Sequence, residues 1–130
     1  MRITLDWPSN KLSPNARLHW SKQLKPKKNA RDDAAWLTKE AMAKAGILPG
    51  RMAGPVDVEI VFYPPTTRQH DVDNLQASMK AALDGIAMAL GIDDVHFRPV
   101  SRIERVKPGG YAVVTLTPAT VEIPLRGVVS

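Results

Sequence analysis

Residues 56–91 decide the fold, and they run VDVEIVFYPPTTRQHDVDNLQASMKAALDGIAMALG. The first eight residues alternate between apolar and polar, which predicts a half-buried strand over 56–63. Pro64 and Pro65 end that strand. Further along, apolar residues recur at the helical period and predict a helix over 74–90, closed by Gly91. The buried stripe of that helix is expected to contain Leu75, Met79, Ala82, Leu83, Ile86 and Leu90.

Weaker patterns on both sides complete the predicted fold. Residues 2–7 alternate and predict a first strand, and the proline-containing segment 8–28 predicts a long irregular loop. Asn29 is expected to cap a first helix that ends at Gly46. Residues 97–106 and 111–118 are expected to be strands of a hairpin, because KPGG at 107–110 favours a turn.

These elements have the order β-α-β-α-β-β, which is typical of the α+β class. The 130 residues fit one domain spanning 1–130, with a small sheet packed against two helices. Nothing in the pattern assigns a structure to the tail, residues 119–130.

Composition excludes several classes of protein. The chain has no cysteine, so it has no disulfide framework and no cysteine zinc site. It contains no apolar run of the ~18 residues that a membrane span needs, and its first residues lack the apolar core of a signal peptide. We therefore expect a cytoplasmic protein without a membrane partner. The net charge of +5 favours a polyanionic partner, with simple solubility as the alternative.

The most informative motif is a pair of aspartates two residues apart. Asp71 and Asp73 would point to the same side of an extended chain, where two carboxylates can bridge a hard cation. Asp93 and Asp94 follow the predicted helix at its far end. Because that helix would be ~25 Å long, Asp94 can join the first pair only if the chain doubles back or a second subunit supplies it.

Each of these residues also has a purely structural interpretation. Asp73 could cap the helix with Gln76 in a capping box. Asp71 could be a solvated loop residue, and Asp93–Asp94 could form an ordinary turn. A calcium-binding EF-hand loop is excluded, because its glycine and final glutamate positions hold Gln76 and Ala82. Lys80 falls on the same helical face as Asp73 and Asp84, where it could stabilise charge on a phosphate. Alternatively, Lys80 could only pair with Asp84.

A basic, aromatic segment precedes the first predicted helix. Cations neutralise phosphates, and Trp20 could stack on an exposed base, although it could also be tucked into the core. The basic residues of this segment are Lys11, Arg17, Lys22, Lys25, Lys27, Lys28 and Arg31, with no acid among them. Arg68, just before the acidic motif, joins this expected DNA-binding set. A second basic strip follows later, at Arg98, Arg102, Arg105 and Lys107.

Three short motifs together resemble the RusA-type crossover-junction endodeoxyribonucleases of bacteria, prophages and phages. They are HDVDNL at 70–75, KAALDG at 80–85 and GIDD at 91–94, and WPSN at 7–10 is similar to the family's N-terminal segment. The resemblance covers roughly residues 3 to 117. It implies a nuclease of DNA recombination and repair that resolves Holliday junctions by paired, symmetric nicks.

The resemblance also implies roles for individual residues. Asp71, Asp73 and Asp94 match the catalytic carboxylates that bind Mg²⁺, for which Mn²⁺ is a plausible substitute, with Asp93 as the fallback for Asp94. Lys80 matches the catalytic lysine with a departure. It lies seven residues after Asp73 rather than the family's four, and Ala77 occupies the family's position.

A homodimer is implied as well, because a four-way junction is two-fold symmetric and needs two matched nicks. The expected location is the cytoplasm of a bacterial cell or phage-infected host. Two alternatives stay open. One is a non-catalytic basic dimer that binds DNA or RNA, and the other is a phage nuclease of the same fold that acts on other branched or flap structures.

Overall fold

The secondary structure follows the predicted order of elements. The computed structural model describes residues 1–52 and 54–118, so the tail lies outside the described residues. The elements are β1 (Arg2–Asp6), α1 (Trp20–Ala45), β2 (Val56–Tyr63), α2 (Val72–Ser78), α3 (Lys80–Leu90), β3 (Phe97–Ile103) and β4 (Tyr111–Pro118). The α+β class is confirmed, with a four-stranded mixed sheet and the second predicted helix divided into α2 and α3.

The sheet has the strand order β1-β4-β2-β3, so the predicted hairpin of the last two strands is wrong. Strand β2 lies between them, parallel to β3 and antiparallel to β4. After β3 the chain crosses the end of β2. There Glu104 N–H donates to the carbonyl of Phe62 at 2.8 Å and Lys107 N–H to that of Pro64 at 2.9 Å. The turn at 107–110 therefore reverses the chain but delivers it to the far side of β2.

The core lies between one face of this sheet and the helices. The alternating residues of β2 that were expected to be buried are Val56, Val58, Ile60 and Phe62. All four are less than 2% exposed. They join a single cluster with the inward residues of β1 and β4 and with the buried stripe of the second predicted helix, which is confirmed at all six positions. The opposite face of the sheet carries the charged residues of β2 and β3, together with Val61 and exposed Val100.

Helix α1 begins ten residues earlier than expected. Its N-cap is His19 rather than Asn29, and Nδ1 of the His19 ring accepts a hydrogen bond from Ser21 N–H. Pro26 lies inside the helix, although proline usually ends one. The surrounding Lys, Gln, Leu and Ala residues favour helix strongly enough to continue through it. The predicted irregular loop is therefore wrong from Trp20 onward.

The N-terminal part of α1 extends away from the core. The buried residues of this helix are Ala34, Thr38 and Met42, all in its second half. Residues 20–31, here called the helical arm, carry most of the basic residues that were predicted to form a loop. Those side chains are consequently spaced by helical geometry and not by an irregular segment.

The second predicted helix is interrupted at Met79. This residue, with φ −88° and ψ −1°, ends α2 and precedes α3. Asp71 is the N-cap of α2, so helix begins two residues earlier than predicted and Asp73 lies within its first turn. The predicted capping box is wrong, because the Gln76 side chain accepts a hydrogen bond from Ser101 Oγ at 2.7 Å instead.

The contact between α1 and α3 depends on a glycine. A Cβ atom added to Gly85 would overlap the Arg31 carbonyl and would lie 2.9 Å from its carbonyl carbon. We expect Gly85→Ala to destabilise the protein by about 1–3 kcal/mol, because backbone must move to relieve such overpacking. Urea unfolding measures this change. The sign of the change in the free energy of unfolding decides the question. At an open helical position alanine is favoured over glycine by ~1 kcal/mol, so a more stable Gly85→Ala protein would contradict this packing.

Candidate functional site

An open, partly acidic cavity of about 350 Å³ lies beside α2 and α3. We call it the acidic pocket. Asp73, Lys80, Asp84 and Asp94 line it together with Gln76, and Phe97 and Pro99 of β3 form part of its wall. The face shared by Asp73, Lys80 and Asp84 was expected from helical spacing. It persists across the break at Met79.

Asp94 reaches this pocket from the same chain. Gly91 ends α3 in the left-handed conformation, and Ile92 N–H donates back to the Ala87 carbonyl at 3.1 Å. This turn sends the chain back along α3. As a result, Lys80 Nζ lies 3.8 Å from Asp94 Oδ2 and also 3.8 Å from Asp84 Oδ1. Asp94 and Asp73 of one chain therefore line the same pocket, whereas Asp71 does not line it.

Asp93, the fallback residue, has a local role. Its Oδ1 accepts a hydrogen bond from Val95 N–H at 3.0 Å and caps the short 3₁₀ turn Asp94–His96. Asp94 is consequently the member of the pair that lines the pocket. Asp94 is also the residue that the resemblance favours over Asp93.

Asp71 lies in a neighbouring cleft. Its Oδ1 accepts hydrogen bonds from Asp73 N–H at 2.8 Å and Asn74 N–H at 3.4 Å, so the capping role considered for Asp73 belongs to Asp71. The cleft also contains Arg68 and His70. The expectation that Asp71 and Asp73 point to the same side is wrong, because Asp71 is the last extended residue before α2 and Asp73 is already helical.

The donor set of the acidic pocket fits a hard cation in its chemistry. Asp73, Asp84 and Asp94 offer carboxylate oxygens, the ligands that Mg²⁺ prefers. Among residues 1–52 and 54–118, however, no three acidic or histidine side chains lie close enough to hold a metal ion without moving. The pocket therefore presents suitable ligands on partly exposed, movable side chains and not a preformed cage.

Asp84 was missing from the predicted site. The sequence did contain a signal for it, since it lies four residues after Lys80 on the face of Asp73, but it was considered only as a surface partner of the lysine. Lys80 pairs with Asp84 as that alternative requires, and with Asp94 in addition. Because the lysine side chain is 77% exposed, neither pair contributes much to stability.

The basic residues of the first segment lie in two places. Lys11 lies in a short 3₁₀ helix, Asn10–Leu12, and Arg17 lies between that helix and α1. The helical arm carries Lys22, Lys25, Lys27, Lys28 and Arg31. Trp20 is 66% exposed, so the alternative that it is tucked into the core is wrong. One of the lysines is paired: the hydrogen bond from Lys28 lowers the pKa of Asp32 below its ordinary value.

Two of the four residues in the second basic strip form ion pairs. Arg98 pairs with Asp57 at 2.8 Å across the exposed face of the sheet. Arg102 pairs with Glu59 at 2.6 Å and Glu104 at 2.9 Å, and hydrogen bonds to Glu104 and Glu59 raise its pKa. Arg98 and Arg102 are therefore already paired with carboxylates of the protein itself. The helical arm offers the denser group of cations.

Fold and site together define a small α+β domain with an acidic, lysine-containing pocket and a cationic helical arm. No family model matches the chain. An uncharacterized protein from Xylella fastidiosa (strain Temecula1) is 44% identical over 119 residues, which is 91% of this chain and 76% of the relative. The chain belongs to the same family as that protein. In the described part of the chain, no helix is long and apolar enough to cross a membrane.

Proposed function

We propose that the protein is a metal-dependent endodeoxyribonuclease that cuts branched DNA, as its resemblance to the RusA-type junction resolvases implies. One observation carries the proposal: three aspartates and a lysine from separate turns of a single chain line the same pocket. Carboxylates beside an ammonium group suit phosphodiester cleavage, because the reaction builds negative charge on a phosphate. The helical arm supports a nucleic-acid substrate, since its cations can neutralise several phosphates.

The residues of the pocket divide the chemistry between them. Asp73, Asp84 and Asp94 would hold Mg²⁺, or Mn²⁺ in its place, and that ion would supply charge stabilisation and an activated water. The Lys80 ammonium would stabilise the charge that develops on the scissile phosphate. Asp71 would keep α2 in register through its cap, so that Asp73 stays directed at the pocket.

Paired nicking requires two such pockets. Because Asp94 comes from the same chain as Asp73, each subunit would carry a complete site, and a two-fold homodimer would present two of them to the two-fold symmetric junction. Such an enzyme would work in DNA recombination and repair, in the cytoplasm of a bacterial cell or of a phage-infected host.

A non-catalytic nucleic-acid-binding dimer is the second candidate. Two specific observations favour it: Asp71 and Asp93 both cap local structure, and Lys80 is paired with two carboxylates. In that case the acidic residues stabilise turns, and the helical arm alone explains the function. A third possibility keeps the nuclease chemistry but directs it to flap or three-way structures.

A panel of branched substrates separates these candidates. The expected result is that a four-way junction is nicked in Mg²⁺ or Mn²⁺ and left intact in EDTA, because the carboxylates need a cation to act on a phosphate. Three-way, flap and linear duplexes of the same sequences serve as matched substrates, and denaturing gels measure the nicks. Binding of every substrate without cleavage in either metal would favour the non-catalytic dimer. Preferential cleavage of flaps would favour the third candidate.

A further inference from the structure

A second and larger cavity, of about 580 Å³, lies on another side of the domain. We call it the tryptophan cleft. The end of β1, the segment after it, the middle of α1 and the α2–α3 junction form its walls. Its volume lies within the range of ~300–1,000 Å³ that is typical of small-ligand sites. Its polar and aromatic side chains include Asp6, Trp7, Lys11, Asn29, Asp33 and Trp36.

Trp36 is the most exposed aromatic group in this cleft. It is 66% exposed, whereas Trp7 is half-buried and packs edge-on against Phe62 and His70. Trp36 therefore offers a free indole surface next to a cavity, and Trp7 belongs to the core. A large flat apolar surface left in water at the wall of a cleft is suited to stacking on a planar ligand.

Carboxylates and a cation both line the cleft around Trp36. Asp6 and Asp33 line the cleft, and exposed Lys11 lines it from the segment after β1. On α1, Lys25 and Asn29 precede Trp36 by eleven and seven residues, so each lies within about 20° of Trp36 around the helix axis. Asn29 lines the cleft, and Lys25 lies beyond its lining residues. Carboxylates accept hydrogen bonds from amino groups, and lysines neutralise phosphates. This complementarity matches a nucleotide.

We infer that the tryptophan cleft binds one unpaired nucleobase that bears an exocyclic amino group, such as cytosine. The base stacks on Trp36, its amino group donates to Asp33, and Lys11 and Lys25 neutralise the adjoining phosphates. The base must be unpaired, because a base within a duplex has no free face for the indole. The inference rests on the proposed function only in taking nucleic acid as the ligand, and it requires no cleavage.

Binding of short labelled single strands in EDTA tests this inference. Fluorescence anisotropy is measured with oligo(dC), oligo(dT) and an abasic strand of equal length. We expect the wild-type protein to prefer oligo(dC) over oligo(dT), since thymine lacks the amino group, and to bind the abasic strand most weakly. Trp36→Ala should weaken oligo(dC) binding about tenfold, the scale for losing one base–aromatic stack. Its affinity for the abasic strand and its salt dependence should stay unchanged.

Three further variants sharpen the test. Trp36→Phe should keep most of the affinity, because phenylalanine still stacks. Asp33→Ala should remove the preference for oligo(dC) over oligo(dT). Leu48→Ala is the matched control, because Leu48 is similarly exposed, at 61%, and lies outside the cleft, so that change should alter nothing.

Two outcomes would overturn the inference. One is unchanged oligo(dC) binding by Trp36→Ala, and the other is equal weakening of oligo(dC) and the abasic strand, which would indicate a general loss of structure or charge. Failure of the nuclease proposal is detected separately. A protein that cuts no junction in Mg²⁺ but shows the Trp36-dependent preference in EDTA would lose the proposed function and keep the base-binding cleft.

Discussion

Asp73→Asn is expected to abolish junction cleavage, with a fall of more than ~10²-fold in rate. The metal charge that a carboxylate holds in place supplies several kcal/mol of transition-state stabilisation, and each 1.4 kcal/mol is about tenfold in rate. The substituted asparagine keeps the shape of the side chain and loses its charge, so junction binding in EDTA should be unchanged or tighter. Single-turnover cleavage assays in Mg²⁺ measure the rate.

The other aspartates give matched comparisons for Asp73. Asp94→Asn and Asp84→Asn should also lower the rate if the acidic pocket is the catalytic site. Asp93→Asn should not, because asparagine can still cap the turn that Asp93 caps. Asp71→Asn decides the role of the neighbouring cleft, since asparagine preserves the cap of α2 while removing the charge. Robust cleavage by both Asp73→Asn and Asp94→Asn in Mg²⁺ would refute the proposed site.

Lys80→Ala is expected to lower the cleavage rate by ~10²-fold, the scale for losing one electrostatic contact that acts in the transition state. Stability should change by less than about 0.5 kcal/mol, because exposed ion pairs contribute little. Lys80→Arg should restore part of the activity, since it keeps the charge but not the compact ammonium. Cleavage kinetics and urea unfolding are measured on the same preparations.

Lys39→Ala provides the control for Lys80, because Lys39 is an exposed lysine of α1 that does not line the acidic pocket. It should leave the rate unchanged. A fully active Lys80→Ala protein would remove the catalytic role of the lysine and would leave the three aspartates of the pocket as the site. A rate change below ~3-fold would mean that its pairing with Asp84 and Asp94 is only structural.

Periodicity predicted the elements that pack and failed where long-range contacts decide. The buried stripe of the second helix and the alternation in β2 follow from local geometry, so the sequence alone located the core. The pairing of β4 with β2 does not follow from local geometry. A turn at 107–110 indicates that the chain reverses, yet the hydrogen bonds from Glu104 and Lys107 to the end of β2 determine where the next strand lands.

The candidate site was predictable to a similar extent. Helical spacing placed Asp73, Lys80 and Asp84 on one face, and the structure adds Asp84 to the residues of the candidate site. Asp94 reaches the acidic pocket because the chain turns back at Gly91, and residue spacing alone does not predict the direction of that turn. The separation of Asp71 from Asp73 depends on a helix boundary, and a shift of two residues there sends the two carboxylates into different cavities.

The helical arm has a consequence for how the proposed nuclease would bind DNA. None of its side chains is fully buried, and Pro26 removes one of its backbone hydrogen bonds. The close packing of Arg31 against Gly85 supports its last turn, so the turns before it depend largely on local propensity. A helix of this length is marginal in water when it lacks tertiary support. The free protein should therefore exchange its arm amides for deuterium rapidly, while phosphates that neutralise the crowded lysines would slow that exchange. If the arm becomes ordered only on the substrate, the entropy lost on ordering lowers the binding affinity. In return, the arm can adapt to a DNA ligand whose branches vary in angle.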